Sequence, residues 1–428
     1  MRTVQNWAGN HSYAGELVSP TSLEAAAEAV AGATRVRPLG SRHSFNAIAD
    51  SAGLLISLER LAYRHPSLAH DAPSGPEPVL DEHTGHVRVP AATRYADLAR
   101  FLEERGRTLP NFASLPHISI AGSLATATHG SGVDQQVLAS AVVEIGLVLA
   151  DGTRRTFSRD VDGDLLNGVV VSLGALGLVH EVTLATVPAF EVRQTVYGPI
   201  PLAAVADEFD AVSALGYSVS CFTALREETV DSLWVKQPAA AASAPDSVLG
   251  VPAFTEKVHP IGGIDPANAT EQLGAAGPAS ERLPHFRADH LPSAGAEIQC
   301  EYLVPRHSVR LALRALTELA KPLAGLVQVC EIRSVAADDF WLSPMYQQPC
   351  VGIHFTLVRD IPRVAQVLPV IDAALGVLGG RPHWGKQFHA DPERVRALYP
   401  RRADFLDLAR TLDPGGVFTN DFVTTWVG

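Results

Sequence analysis

Pro38-Leu39-Gly40-Ser41-Arg42-His43-Ser44-Phe45-Asn46 follows a short strand candidate at 35–39 and strings small residues into a loop. Successive small residues let backbone N–H groups converge on an anion such as a pyrophosphate. The segment is neither a Walker A loop nor a GxGxxG. An ordinary surface turn with a solvated His fits the same composition. A second small-residue run at 119–132, SIAGSLATATHGSG, weighs against that bland reading. Gly, Ala, Ser and Thr in series let backbone approach a flat ligand closely, while hydroxyls and amides supply hydrogen bonds.

Around these two loops the first 185 residues alternate helix and strand signals. A helix is predicted at 22–33 (SLEAAAEAVAGA), with Thr21 and Ser22 as N-cap candidates. Strands are predicted at 53–58, 86–90 and 141–149, with a helix at 95–105 between the last two, and Asp151-Gly152 reads as a hairpin turn into 153–158. Near Pro188 the pattern changes to strand-like alternation, as at 192–197 and 296–304, joined by Pro-, Ala- and Ser-rich stretches such as 238–247. Helix candidates at 307–324 and 364–378 each follow a strand candidate, which predicts a mixed sheet covered by helices on one face. A last helix at 403–412 stops at Asp413-Pro414-Gly415-Gly416, and no repeat runs through the chain. The class is α+β with two domains.

At 428 residues, 46% of them hydrophobic, the chain is long enough for two or three domains and too apolar for wholesale disorder. Lys and Arg total 34 against 46 Asp and Glu, a formal charge of −12 that repels polyanions and argues against nucleic acid as a partner. The first residues lack an apolar signal core, so export by the general route is not expected. The nearly apolar run 168–179, GVVVSLGALGLV, is shorter than the ~20 residues of a membrane span and reads as a buried strand and turn, so no membrane partner is expected. Cys221, Cys300, Cys330 and Cys350 form no CxxC and read as reduced core thiols of a cytoplasmic protein.

Glu331 and Arg333, in VCEIRSV, are two apart in a strand candidate and leave the same face; His354 and Thr356, in VGIHFTLV, repeat that geometry. If the two strands pair, four polar groups line one surface above an apolar layer. A solvated sheet face with one ion pair is the alternative. Lys386, in RPHWGKQFH, either joins that cluster or is a surface Lys. His383 and His389 lack a carboxylate or Cys at ligand spacing, so no metal is inferred, and His117 and His129 read as structural. No GxSxG elbow is present, and Ser114 carries no local sign of a hydrolytic nucleophile.

Taken together, GSRHSFN, NFASLPHISIAGSLATATHGSG, CEIRSVAAD, IHFT, RPHWGK and DPGGVFTNDF, with LPHFRA and SAGAE between them, resemble the vanillyl-alcohol-oxidase-type flavoproteins, and within them the bacterial alditol (xylitol) oxidases. The resemblance runs from Asn6-Trp7-Ala8-Gly9-Asn10 to the end of the chain. It implies a vanillyl-alcohol-oxidase-type (PCMH) FAD-binding domain at 1–187, a substrate or cap domain at 188–382, and a segment at 383–428 returning to the first. It implies FAD bonded covalently through His43, with the amides of Gly40, Ser41, Arg42 and Ser44 at the pyrophosphate. Arg42 stands where the family pattern has Gly, and its Cβ disfavours φ > 0 there. Further flavin contacts are implied at Ser114, Ser119, Gly122, Ser123, Thr126, Thr128, His129, Gly130 and Asn420.

The polyol-binding side chains implied are Ser114, Glu331, Arg333, His354, Thr356 and Lys386, of which strand geometry had already singled out four. Arg333 and Lys386 would bind the terminal hydroxyl as hydride leaves for flavin N5. The implied reaction is oxidation of a small polyol to the aldose with O2 as acceptor and H2O2 as product, and Ala113 would sit where oxygen approaches. A sugar-lactone (aldonolactone) oxidase or dehydrogenase uses the same fold and stays open, as does a flavin-binding protein without turnover.

Overall fold

The computed structural model describes residues 4–70, 72–290 and 296–428, so most of the SAGAE motif at 293–297 lies outside the described residues. Two sheets carry the first part of the chain. A three-stranded parallel sheet pairs β1 (Glu16–Val18) and β2 (Val36–Pro38) with a central β3 (Leu54–Ile56). A five-stranded antiparallel sheet holds β4 (Val79–Asp81), β5 (His86–Pro90), β6 (Val142–Val148), β7 (Arg154–Ser158) and β8 (Leu178–Ala185) in the order β4-β5-β8-β6-β7. The helices are α1 (Leu23–Ala31), whose N-terminus is closed by Ser22 accepting from the Ala25 amide, and α2 (Tyr95–Glu103), which buries Leu98, Phe101 and Leu102. The short α3 (Ile120–Ala125) opens the second small-residue loop.

The segment 168–179 departs from its expected strand. Gly168 to Val170 end a helix, α4 (Leu165–Val170), and only at Leu178 does β8 begin. β-branched content favours a strand here, but burial of Leu166, Val169 and Val170 on one helical face outweighs it. A Cβ on Gly168 would stand 2.4 Å from the Trp341 ring, so glycine lets the helix lie against that indole.

The remaining large sheet has eight strands: β9 (Glu191–Tyr197), β10 (Ser218–Thr223), β11 (Ser232–Pro238), β12 (Gly277–Pro278), β13 (Glu297–Pro305), β14 (Val327–Val335), β15 (Cys350–Val358) and β16 (Arg381–Pro382). Their order is β12-β9-β11-β10-β14-β15-β13-β16. Every pairing in it is antiparallel, which corrects the expectation of a mixed sheet. The reason lies in how the crossovers are split. Helix α5 (Leu202–Asp207) with α6 (Phe209–Ser213) joins β9 to β10, α7 (Val309–Leu319) joins β13 to β14, and α8 (Ile361–Leu375) joins β15 to β16. In each case a third strand, antiparallel to both, is inserted between the two that the helices connect.

These helices cover one face of the sheet, as expected. Val205, Phe209, Leu313, Leu316, Leu368 and Ile371 pack on Cys221, Cys300, Cys330, Ile332, Ile353 and Phe355. All four cysteines are free and buried, and burial pushes the Cys221 thiol up to about 12. The stretch Ile361–Leu378 is apolar and long enough to pass for a membrane span by composition, a feature the sequence reading assigned to no segment. Its buried residues, Val364, Val367, Leu368, Ile371 and Leu375, follow helical spacing and face the sheet, the pattern of a core helix.

The tail packs back onto the first sheets. Helices α9 (Pro392–Ala397), α10 (Arg402–Leu412) and α11 (Asp421–Trp426) share a hydrophobic core with α2, α3 and α4 through Val395, Tyr399, Phe405 and Phe422. Between α10 and α11 the turn is closed by the Asp413 carboxylate, which accepts from the amides of Val417 and Phe418. Buried Arg37 then donates to the carbonyls of Ile48, Leu173, Gly174 and Phe418, tying β2, the 171–177 turn and the tail together.

Candidate active site

The two small-residue loops face each other. The Ser41 amide donates to Ser119 Oγ at 3.2 Å and the Ser119 amide to Ser41 Oγ at 3.0 Å. A Cβ on Gly40 would sit 2.7 Å from Ser119 Oγ, so glycine is what allows this approach. Arg42 takes φ 64°, the left-handed conformation its Cβ was expected to disfavour. Its carbonyl accepts from the Trp7 amide at 2.9 Å, one bond set against a strain on the order of 1–2 kcal/mol. The amides of Arg42, His43 and Ser44 have no acceptor among the described residues. Unspent backbone donors beside a cavity are what a pyrophosphate requires, so this loop fits a dinucleotide cofactor.

His43 stacks on Trp7, ring centroids 5.5 Å apart, and its Nδ1 lies 3.1 Å from Ser41 Oγ. Burial, then the neighbouring His117 and Arg94, push the imidazole down to about 4, so at neutral pH it is uncharged and keeps a lone pair.

A cavity of about 520 Å³ runs from this loop to the open face of the eight-stranded sheet. Gly40, Ser41, Arg42, His43, Ser44, Ala113, Ser114, Ser119, Gly122, Ser123, Thr126, Thr128 and His129 all line it. Two of the expected cofactor contacts do not. Gly130 is packed behind His129, where a Cβ would meet the Phe112 carbonyl at 2.3 Å. Asn420 caps α11, accepting from the Val423 amide, and its Nδ2 donates to the carbonyls of Ala47, Ile48 and Asp50. Gly130 packs against the Phe112 carbonyl and the Asn111 side chain, and Asn420 against three backbone carbonyls, so neither faces the cavity.

At the far end the predicted strand pairing is realised. Glu331 on β14 lies opposite His354 on β15, Arg333 lies opposite Gly352, and Thr356 lies opposite Val329, two pairs along in the other direction. The adjoining strand β13 adds Glu301 opposite His354 and Gln299 opposite Thr356, two residues the sequence reading missed. The alternation in Glu297-Ile298-Gln299-Cys300-Glu301 carried the signal, but nothing local said which strand lay next to it.

Glu301 is only 1% exposed and is the hub of the cluster. Its Oε1 accepts from Arg333 at 3.0 Å and lies 3.3 Å from His129 Nε2, while Oε2 lies 3.2 Å from His354 Nδ1. Burial works against its charge, but Arg333, His129 and His354 outweigh it and hold the carboxyl well below the usual range. Arg333 also donates to Ser114 Oγ at 3.0 Å and lies 3.6 Å from Glu331 Oε1. Lys386 lies in the same wall and donates to Gln299 Oε1. Burial, partly offset by Glu301, brings its ammonium down to about 8.

His383, which the sequence did not connect to a carboxylate, lies with His129 and Glu301 so that one donor atom of each falls within 4.8 Å of the others. The carboxylate oxygen nearest His129 already accepts from the Arg333 guanidinium, so a cation there would face another cation. The Arg333 guanidinium thus already occupies this carboxylate, and no metal is assigned to the trio.

Chemically, this end of the cavity offers cationic donors at Arg333 and Lys386, a carboxylate acceptor at Glu331, and bifunctional groups at Ser114, His354 and Thr356. That alternation matches a chain of vicinal hydroxyls.

A family model described as FAD binding domain matches residues 15–158, and one described as D-arabinono-1,4-lactone oxidase matches 296–426. Alditol oxidase from Streptomyces sp. (strain IKD472 / FERM P-14339) is 44% identical over 425 residues, 98% of this chain and 98% of that protein. L-gulono-1,4-lactone dehydrogenase from Mycobacterium tuberculosis is 27% identical over 99% of this chain and 98% of its own length. Among solved structures, cholesterol oxidase from B. sterolicum superposes with a TM-score of 0.77 at 15% identity, covering 100% of this chain and 97% of that one, a likeness of fold.

Proposed function

Because the chain belongs to the alditol oxidase family of FAD-linked oxidoreductases, we propose that it oxidises the terminal primary hydroxyl of an alditol such as xylitol or sorbitol to the aldehyde, with O2 reduced to H2O2. The observation that carries the reading is the sheet face on which Glu331, Arg333, His354 and Thr356 meet Ser114 and Lys386 in the cavity that begins at the unspent amides of residues 42–44.

When bound, FAD would supply the two-electron acceptor for the alcohol, with O2 as the oxidant that regenerates it. The free amides of residues 42–44 would hold its pyrophosphate, and His43, neutral and held by Trp7 and Ser41, would be the covalent attachment point. Arg333 and Lys386 bind the reacting hydroxyl, and their charge favours its oxygen as the proton leaves. Arg333 holds Ser114 at the same time, so hydroxyl and guanidinium act as one fixed pair. Glu331, His354 and Thr356 take the remaining hydroxyls. Four unpaired buried thiols support a reducing compartment, and we place the reaction in the cytoplasm.

Two measurements test this. Xylitol added anaerobically is expected to bleach the visible flavin band, with peroxide formed on readmitting air; bleaching by an aldonolactone alone would turn the reading to lactone oxidation. Acid precipitation of the wild type is expected to leave the yellow colour in the pellet, and of His43→Ala to leave it in the supernatant. A yellow wild-type supernatant would remove the covalent bond.

A further inference from the structure

Beside Glu331, with His285 also in the cavity wall, lies an array to which the reaction assigns no part. Lys236, on β11, is 1% exposed and has no carboxylate in hydrogen-bond contact. Its Nζ donates to the carbonyls of Leu283 at 2.6 Å and Pro284 at 3.0 Å, and lies 3.1 Å from His285 Nδ1. Burial draws the Lys236 ammonium well below its usual range, with Glu331 partly offsetting it. Charged or neutral, Nζ keeps an N–H for Nδ1, and the ionised Glu331 carboxylate, which can only accept, requires the hydrogen on Nε2. The single proton of a neutral His285 is then on Nε2, which is 2.8 Å from Glu331 Oε1. The rings of Phe222 and Trp234 meet the imidazole edge-on at 5.3 and 5.5 Å and keep it from turning. Ser220 Oγ donates to the same Glu331 oxygen at 2.9 Å. Oε2 of Glu331 has no donor among the described residues, and Glu331 lines the cavity.

We propose that Lys236 and His285 are positioning residues that hold Glu331 as an acceptor-only carboxylate, so that this end of the cavity selects a substrate carbon bearing a hydroxyl over one bearing a carbonyl. A hydroxyl donates into the free Oε2. The carbonyl of a lactone brings only lone pairs and meets repulsion there. The inference rests on the alditol reading and names what in this site enforces it.

The charged and titratable groups facing Glu331 are Arg333 on its own strand, His354 on β15, His285 and Lys236, with Glu301 and Lys386 further along the wall. Burial opposes the Glu331 charge, while Arg333, His285 and His354 outweigh it and hold the carboxyl below the usual range. Losing the His285 donor therefore moves the acid limb of kcat/KM to higher pH.

The experiment is steady-state kinetics on flavin-loaded enzyme with xylitol and an aldonolactone across pH. His285→Leu is expected to raise KM for xylitol about tenfold or more, the cost of one hydrogen bond to a charged group, with kcat changed less. It is also expected to shift the acid limb upward and to narrow the preference for alditol over lactone. His285→Gln, which retains an N–H toward Glu331, restores most of each. A flavin-loaded His285→Leu with unchanged KM and unchanged acid limb overturns the inference. If His285→Leu fails to retain flavin, Lys236→Met gives the same readings, because freeing Nδ1 lets the proton leave Nε2. Wild-type turnover of a lactone but no alditol overturns both readings, whereas alditol turnover with indifferent variants overturns only this one.

Discussion

Arg333→Met is expected to lower kcat/KM for xylitol by about 10³-fold and to destabilise the folded protein by about 3–5 kcal/mol, the usual cost of stripping the partner from a buried charge. Arg333 is 6% exposed and holds Glu301, Ser114 and Glu331 together. Without it two buried carboxylates, on β13 and β14 with His354 of β15 between them, lose the cation they share. Both have folded pKa values held below those of the unfolded chain, so the stability they bring is present above the ordinary carboxylate range and lost as pH falls through their folded values. In the variant those folded values rise, so the penalty is largest near neutrality and shrinks on acidification. Denaturant midpoints read across pH check the sign. Arg333→Met with Glu301→Gln is expected to recover much of the stability and none of the turnover, separating the fold from the chemistry. Turnover close to wild type in the single variant would remove Arg333 from the reaction.

Lys386→Ala is expected to cost about 10²–10³ in kcat/KM, the range found when one preorganised donor is removed from a developing charge. The flavin is expected to stay bound, because Lys386 contacts Gln299 and the Phe45 ring rather than the amide loop at 42–44. With its pKa brought down to about 8, Lys386 is an ammonium below that pH and an amine above it. Acting through its charge, it makes wild-type kcat/KM fall as pH rises through 8, and that limb disappears in the variant. The opposite profile, a wild-type rise through 8 that Lys386→Ala abolishes, would make the amine the proton acceptor instead.

The same residues show how far the sequence could be read. Alternation in VCEIRSV and VGIHFTLV placed Glu331 with Arg333 and His354 with Thr356 on common faces, and the paired strands bear this out. The motif order identified the family that the 44% relative establishes. By contrast, Gly130 and Asn420 were assigned to the cofactor because they stand inside recognisable motifs, yet both pack against other protein groups outside the cavity lining. Motif membership does not say which way a residue faces.

What the sequence determined by itself is therefore local: a period of two that sorts polar from apolar side chains, small residues where two loops must touch, and the ordered motifs of a flavoprotein. The tertiary structure decided which strands are neighbours, and hence that Glu301, 32 residues before Arg333, joins Glu331 in holding the guanidinium. It also brought His285 and Lys236, 46 and 95 positions before Glu331 in the chain, to the back of that carboxylate. It held Arg42 in a conformation its side chain disfavours, and made antiparallel a sheet whose crossovers had suggested a mixed one. The physical reason is common to all four. Side-chain periodicity fixes which face a residue occupies, but pairing and register are set by packing free energy summed over distant segments, which no local window contains.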